Sequence, residues 1–268
     1  RHHMNEALAR SKMLENANVK LSQDPDNVIE ALVQQKALFT RNDVEVFLEK
    51  FVPVEEKSQE ILESVLSHKS VMALYNKETG QKTEFYTTSA VRSQEEKLIR
   101  FADHIAGRSR ESLNCKIDLE KKSSEGSDPI ILSTEQKAVY ERCVNSEKNL
   151  CIIQGRAGVG KSTVLKPIRV AHEEKGFRVL GLAPTHKVAQ DLKADGFDAK
   201  TCHSFLFAIK NNRESLGSKS LDSKTLVIVD EAGMLGTELS VELFNVIKTS
   251  GAKLILVGDD RQLSAVQR

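Results

Sequence analysis

The sequence predicts an α/β protein, with a parallel sheet and crossover helices in its second half and a small α+β domain before it. Three observations carry that reading. Short, continuous apolar runs alternate with helical patterns after residue 131. A glycine-rich loop joins the first of those runs to a helix. Ahead of both, three helical patterns and a hairpin pattern are separated from the second half by a polar stretch.

At 268 residues the chain has room for about two domains. Hydrophobic residues make up 40% and charged residues 29%, too apolar a balance for a disordered chain. Aromatics are only 5% and Trp is absent, so the cores must be largely aliphatic. No apolar run approaches the roughly 18 residues of a membrane span, and no signal peptide opens the chain. We therefore expect a cytoplasmic protein with no membrane partner. Cys115, Cys143, Cys151 and Cys202 form no C-x-x-C pair and show no zinc-site spacing, which predicts four free thiols. Arg1-His2-His3-Met4 reads as a tag remnant.

Residues 5–106 form the predicted first domain. Val28 to Phe51 carries two helical patterns joined at Phe39-Thr40, and Thr40 with Asp43 makes a capping-box start. Val44, Phe47, Leu48 and Phe51 share one face, and Pro53 stops that helix. A third helix is expected over Ser58 to Met72, with Ile61, Leu62, Val65 and Leu66 as its stripe. Ala73 to Tyr75, a turn at Thr79-Gly80 and Thr83 to Thr88 predict a hairpin. Ser93 with Glu96 opens a further helix, with Leu98, Ile99, Ala102 and Ile105 turned inward. Helix, helix, helix, hairpin is winged-helix-like, an arrangement that often binds DNA. The expected third helix carries Glu60 and Glu63 beside His68 and Lys69, which suits a packing module better. Residues 107–130 are polar and aperiodic, a predicted linker.

Residues 131–268 form the second domain. Strands are expected at Leu150–Gln154, Arg178–Ala183, Leu226–Val229 and Lys253–Val257, each suited to a sheet covered on both faces. Helices are expected at Lys161–Lys175, Lys187–Asp195 and Thr237–Thr249, with Gly176 and Gly251 as C-caps. Residues 1–130 hold 19 Lys/Arg against 22 Asp/Glu, and residues 131–268 hold 20 against 16. That basic excess permits a polyanionic partner without demanding one.

The strongest signal is Gly155-Arg156-Ala157-Gly158-Val159-Gly160-Lys161-Ser162, a G-x-x-x-x-G-K-[ST] run followed by Thr163. Such glycines let the backbone N–H groups point inward at phosphate oxygens, and the helix N-terminus adds positive charge. Lys161 is placed to reach the β- and γ-phosphates, and Ser162 to ligate Mg²⁺. The run Val227-Ile228-Val229-Asp230-Glu231 is an apolar strand ending in two carboxylates. Asp230 suits the Mg²⁺ shell and Glu231 the water that attacks the γ-phosphate, although paired acids also start helices. Gln136 fits either a Ser133-x-x-Gln136 capping box or an adenine-reading amide. Gln262, beyond the fourth strand in Gly258-Asp259-Asp260-Arg261-Gln262-Leu263, can hydrogen-bond a γ-phosphate.

Together these runs resemble the RecD-like superfamily 1 helicases. Gln136 matches that family's Q motif, Gly155 to Thr163 motif I, and Ala183-Pro184-Thr185-His186-Lys187 motif Ia. Thr201-Cys202-His203 resembles motif Ib, Asp230 to Met234 motif II, and Gly258 to Leu263 motif III. The longer run to Thr237, with Leu38 to Val44 and Phe85 to Thr88, is similar to the helicase part of Ti-plasmid TraA-type conjugative relaxases. The resemblance implies a RecA-like P-loop domain and a bacterial, cytoplasmic ATP- and Mg²⁺-dependent 5′–3′ DNA helicase of conjugative transfer. It also implies single-stranded DNA at Thr185, His186, His203 and Phe205, although Phe205 is equally suited to the core. Partners expected from the same resemblance are an upstream nicking domain and a C-terminal RecA-like domain carrying transition-state arginines. The chain stops just after motif III, so we expect nucleotide binding with negligible hydrolysis. A stand-alone RecD-like repair helicase, or a non-hydrolysing DNA-binding remnant of a mobile element, are the alternatives.

Overall fold

The computed structural model describes residues 24–51, 55–115, 132–155, 161–211 and 221–259. They divide into two units between Gln94 and Glu95.

In the first unit, α1 (Pro25–Gln35) starts where the Asp24 carboxylate accepts from the Asp26 N–H, with Pro25 at the first helical position. A two-residue strand, β1 (Phe39–Thr40), leads into α2 (Arg41–Glu49). The capping box is present: Asp43 N donates to Thr40 Oγ1 (3.2 Å) and Thr40 N to Asp43 Oδ2 (2.8 Å). Then follow α3 (Glu55–Leu66), β2 (Val71–Tyr75) and β3 (Lys82–Thr88). The strands pair antiparallel in the order β1-β3-β2, and the Phe39 and Tyr86 rings stack at 6.1 Å across the first pair. Val28, Phe39, Val44, Leu48, Leu62 and Val65 close the core beneath. This is the winged-helix-like order of elements.

The third helix differs from expectation: it ends at Leu66, not Met72. Ser67 N and His68 N close its last turn on Glu63 O and Val65 O, and Met72 instead sits opposite Thr87 in the hairpin. Cross-strand pairing outweighs the helical pattern there. The next helix, α4 (Ser89–Gly107), starts four residues earlier than Ser93 because the Thr88 hydroxyl accepts from the Val91 N–H (3.2 Å).

The second unit takes in the rest of α4, whose Leu98 and Ile105 are buried. Ile99 is 50% exposed and lies off the inward stripe, against expectation. Residues 108–115, expected within the linker, dock on this unit: Arg110 N donates to Glu147 O (2.8 Å) and Cys115 N to Asn145 Oδ1 (2.9 Å). The chain continues through α5 (Thr134–Asn145), β4 (Leu150–Gln154), α6 (Lys161–Glu174) and β5 (Arg178–Ala183). Next come α7 (His186–Ala194), β6 (Asp198–Thr201) and α8 (Cys202–Lys210). Last are β7 (Thr225–Val229), α9 (Thr237–Ser250) and β8 (Lys253–Gly258).

The five strands are parallel in the order β4-β8-β7-β5-β6. Period-2 alternation splits them between two cores. Ile153, Val179, Ile228 and Ile255 pack with α5, α6 and α7 on one face. Leu180, Leu182, Val227 and Leu254 pack with α4, α8 and α9 on the other. Strand β6 was not expected, since Asp198-Ala199-Lys200-Thr201 is short and half polar; its pairing with β5 fixes it. Gly176 (φ 76°) and Gly251 (φ 75°) take the left-handed turns that end α6 and α9, as the sequence predicts. His172 is fully buried on α6.

Candidate functional site

Parallel register brings the strand ends to one edge of the sheet. Gln154 lies opposite Gly258, Val229 opposite Leu256, Leu182 opposite Val229, and Ala183 opposite Thr201. Ligands of open α/β sheets bind outside such carboxyl ends. Here Gly155 N donates to Gly258 O (3.1 Å), which holds the start of the glycine-rich loop against the end of β8.

Asp230 extends β7 by one residue, its N–H on Leu182 O (2.9 Å). Its Oδ1 accepts the Glu231 N–H (2.9 Å), and both residues are half-buried. Glu231 then adopts φ 49°, ψ 42°, left-handed backbone that costs a side-chain-bearing residue about 1–2 kcal/mol. The turn is held by Met234 N on Glu231 O (3.0 Å) and Leu235 N on Ala232 O (3.1 Å). The backbone therefore reverses between two adjacent carboxylates, giving each its own position at the sheet edge. Strain of this kind clusters at functional sites.

Lys161 and Ser162 are the first two residues of α6, so their N–H groups belong to its N-terminal turn; Thr163 is exposed in that turn. Ala157, Gly158, Val159, Gly160 and Gln262 lie outside the described residues. Gln136 sits in its capping box: Ser133 N donates to Gln136 Oε1 (2.9 Å) and Gln136 N to Ser133 Oγ (3.2 Å).

Of the residues expected on DNA, three are placed together. Thr185 caps α7, accepting from Val188 N (3.4 Å), and His186 opens that helix; both are exposed. His203 is exposed at the start of α8, beside them because β5 and β6 pair through Ala183 and Thr201. Phe205 is a correction: it is 1% exposed in the core with Leu182, Val229 and Leu243, so its ring has no face for a base. The aromatic that sequence reasoning missed is Phe207, 53% exposed and one turn from His203. In Phe205-Leu206-Phe207 the helical period alone decides which ring is buried, and it could have been applied.

An AAA domain matches residues 131–268, more than half of the chain. The chain belongs to that family. It is 28% identical over 254 residues to the conjugal transfer protein TraA of Agrobacterium fabrum, covering 92% of this chain and 22% of that protein. It is 31% identical over 139 residues to the multifunctional conjugation protein TraI of Escherichia coli, and 35% over 138 residues to the ATP-dependent RecD2 DNA helicase of Deinococcus radiodurans. Each of these two matches covers 50% of this chain, and 8% and 18% of the relative. The chain thus spans about a fifth of the TraA relatives' length. Among the described residues, no helix is long and apolar enough to cross a membrane.

Proposed function

We propose that this chain is the nucleotide-binding motor segment of a RecD-like, ATP-dependent DNA helicase acting in conjugative transfer. The supporting observation is the convergence of Gly155, Asp230 and the strained Glu231 on the carboxyl edge of a parallel sheet, in an AAA domain. Lys161 and the loop N–H groups hold the β- and γ-phosphates of ATP. Ser162 and Asp230 offer the hard oxygen ligands that suit Mg²⁺, which supplies charge neutralisation on those phosphates when bound. Glu231 orients the attacking water and accepts its proton, while Gln262 hydrogen-bonds the γ-phosphate. Gln136 reads the adenine edge with its amide; a carbonyl oxygen that caps a helix keeps a second lone pair.

Single-stranded DNA runs over Thr185, His186 and His203, with Phe207 as a stacking platform. Such binding is weak, salt-sensitive and indifferent to sequence, since it uses backbone contacts and stacking. Two measurements test the reading. Mg²⁺·ATP should raise the melting temperature of the chain, because a ligand of the folded state alone stabilises it by mass action, and Lys161→Ala should remove most of that rise. Anisotropy of labelled oligonucleotides at two salt concentrations should show binding that fades as salt increases. Equal nucleotide response in Lys161→Ala, or tight salt-resistant binding to one duplex sequence, contradicts it.

A further inference from the structure

The two outer strands of the parallel sheet are protected unequally. Strand β6 buries Ala199 and Thr201 and leaves the charged Asp198 exposed and Lys200 half-buried, with Asp198 3.9 Å from Arg178 Nη2. Charges of this kind blunt a sheet edge. Strand β4, at the other side, carries none in Leu150-Cys151-Ile152-Ile153-Gln154. Its Cys151 and Ile153 are buried with α5 and α6, and Leu150 packs on the opposite face with α4, α8 and α9. Period-2 alternation puts Ile152 on that second face too, yet it is 60% exposed at mid-strand. Leu256, its partner across the ladder to β8, is half-buried. Among the described residues no strand pairs with the outer side of β4. Parallel sheets are ordinarily covered on both faces, so Ile152 marks a place where a cover is missing.

The chain itself leaves the sheet at this corner. Strand β8 ends at Gly258, opposite Gln154, and Asp259 is the last described residue. Residues 260–268 follow, and Leu263 and Val266 are their large apolar side chains. Leu263 is four residues past Asp259, a reach of up to about 14 Å. Ile152 lies two residues below the end of β4, about 7 Å, on the strand next to β8 at about 5 Å. The apolar face is therefore within reach of the first apolar residue after the sheet. Leu263 also directly follows Gln262, so a seat for Leu263 fixes the Gln262 backbone to within one Cα step, about 3.8 Å.

We propose that Ile152 is a positioning residue: with Leu150 and Leu256 it seats Leu263 of the segment 260–268 and so holds the Gln262 amide at the nucleotide edge. The proposal rests on the nucleotide reading above and extends it to a residue that touches no nucleotide. Gln262 meets the γ-phosphate, which ATP has and ADP lacks. An unseated Gln262 must be ordered again each time it makes that contact, and the lost freedom weakens it. Loss of the seat therefore acts on ATP and spares ADP, whereas general loosening of the sheet weakens both.

Two measurements on the 268-residue chain test it. The first places a photo-cross-linker in the segment, Leu263→p-benzoylphenylalanine, and maps the products by peptide mass spectrometry with Mg²⁺ and a non-hydrolysable ATP analogue present. Cross-links should fall within one chain on residues 150–154 and 256, and Ile152→Ser should reduce them about tenfold, the worth of one covered aliphatic side chain. Cross-links elsewhere, cross-links between copies, no cross-link, or an unchanged yield in Ile152→Ser would each overturn the seat. The second compares the affinities of the ATP analogue and ADP. Ile152→Ser, Leu263→Ser and Gln262→Ala should each cut the preference for the ATP analogue about tenfold, Ile152→Val should keep it, and Ile152→Ser with Gln262→Ala should do no more than either alone. Equal loss for both nucleotides, additive loss in the double variant, or a parent without the preference would overturn the positioning role. A parent that binds neither nucleotide contradicts the nucleotide reading instead, and the cross-link still decides the seat. Leu263→Ser changes nothing in the described fold, so the comparison survives a poorly folded Ile152 variant.

Discussion

The two edges of the parallel sheet use polar residues in opposite ways. At the carboxyl edge Asp230, Glu231, Thr185, His186 and His203 lie half-buried or exposed, at strand ends and helix starts. At the amino edge Lys253 and His172 are fully buried, and the Lys253 ammonium donates to the Cys143 carbonyl and to His172 Nε2. The first edge sets its carboxylates, hydroxyl and imidazoles at or near the surface, and stores backbone strain at Glu231. The second spends its polar groups on internal contacts, where loss of one partner strands the other in a low-dielectric interior. Mutations at the carboxyl edge should therefore change binding with little change in stability, and mutations at the amino edge or in the core should do the reverse.

The largest effect expected is in the core. Phe205→Ala should destabilise the sheet unit by about 3–5 kcal/mol, read from urea denaturation, because a fully buried ring leaves a cavity. A Phe205→Ala chain as stable as its parent would restore Phe205 to the DNA surface.

Next comes acid. His172 is held at about 4 in the folded chain against 6.5 when exposed, chiefly by burial. Between those values the unfolded chain binds the extra proton, so stability is present above pH 6.5 and falls as pH drops through 4. The loss is about 3 kcal/mol if the whole difference is expressed. A stability profile of the parent against His172→Gln isolates it from the carboxylates; identical slopes over that window would mean that His172 is not held neutral.

Smaller is the helix cap. Ser133→Ala removes one half of the capping box of α5 and should cost about 1 kcal/mol. Gln136→Ala removes the other half, and should additionally weaken ATP relative to a base-free triphosphate. If it weakens both equally, Gln136 is a cap and nothing more.

Smallest on stability is Phe207→Ala, within about 0.5 kcal/mol of the parent for an exposed side chain. Its effect should appear in single-stranded DNA affinity, where one stacked base is worth about 1–3 kcal/mol. The pair Phe205 and Phe207, two residues apart on α8, sets the core against the proposed nucleic-acid surface within one helix.

Much of this was legible in the sequence because local signals and long-range packing agree. The apolar runs at 150–154, 178–183, 226–229 and 253–257 are strands to within a residue, and the glycine-rich loop lies between a strand and a helix as its chemistry requires. What escaped was decided by partners distant in sequence. Strand β6 exists because β5 offers it an edge, and Met72 left its helix because Thr87 lies opposite. Lys253 opens an apolar strand, and nothing within ten residues announces that it meets the Cys143 carbonyl and His172. The strain at Glu231 was equally invisible, since a backbone angle has no letter in the sequence.

The central claim, that nucleotide is bound at the carboxyl edge and not elsewhere on the sheet, is tested most directly by equilibrium titration of a fluorescent ATP analogue with Mg²⁺. Three chains are compared under conditions where circular dichroism shows each one folded: the parent, Lys161→Ala and Lys253→Met. The account predicts saturable binding by the parent, loss of most affinity in Lys161→Ala, and parental affinity in Lys253→Met despite its lower melting temperature. Parental affinity in Lys161→Ala, or equal loss in both variants, would contradict it.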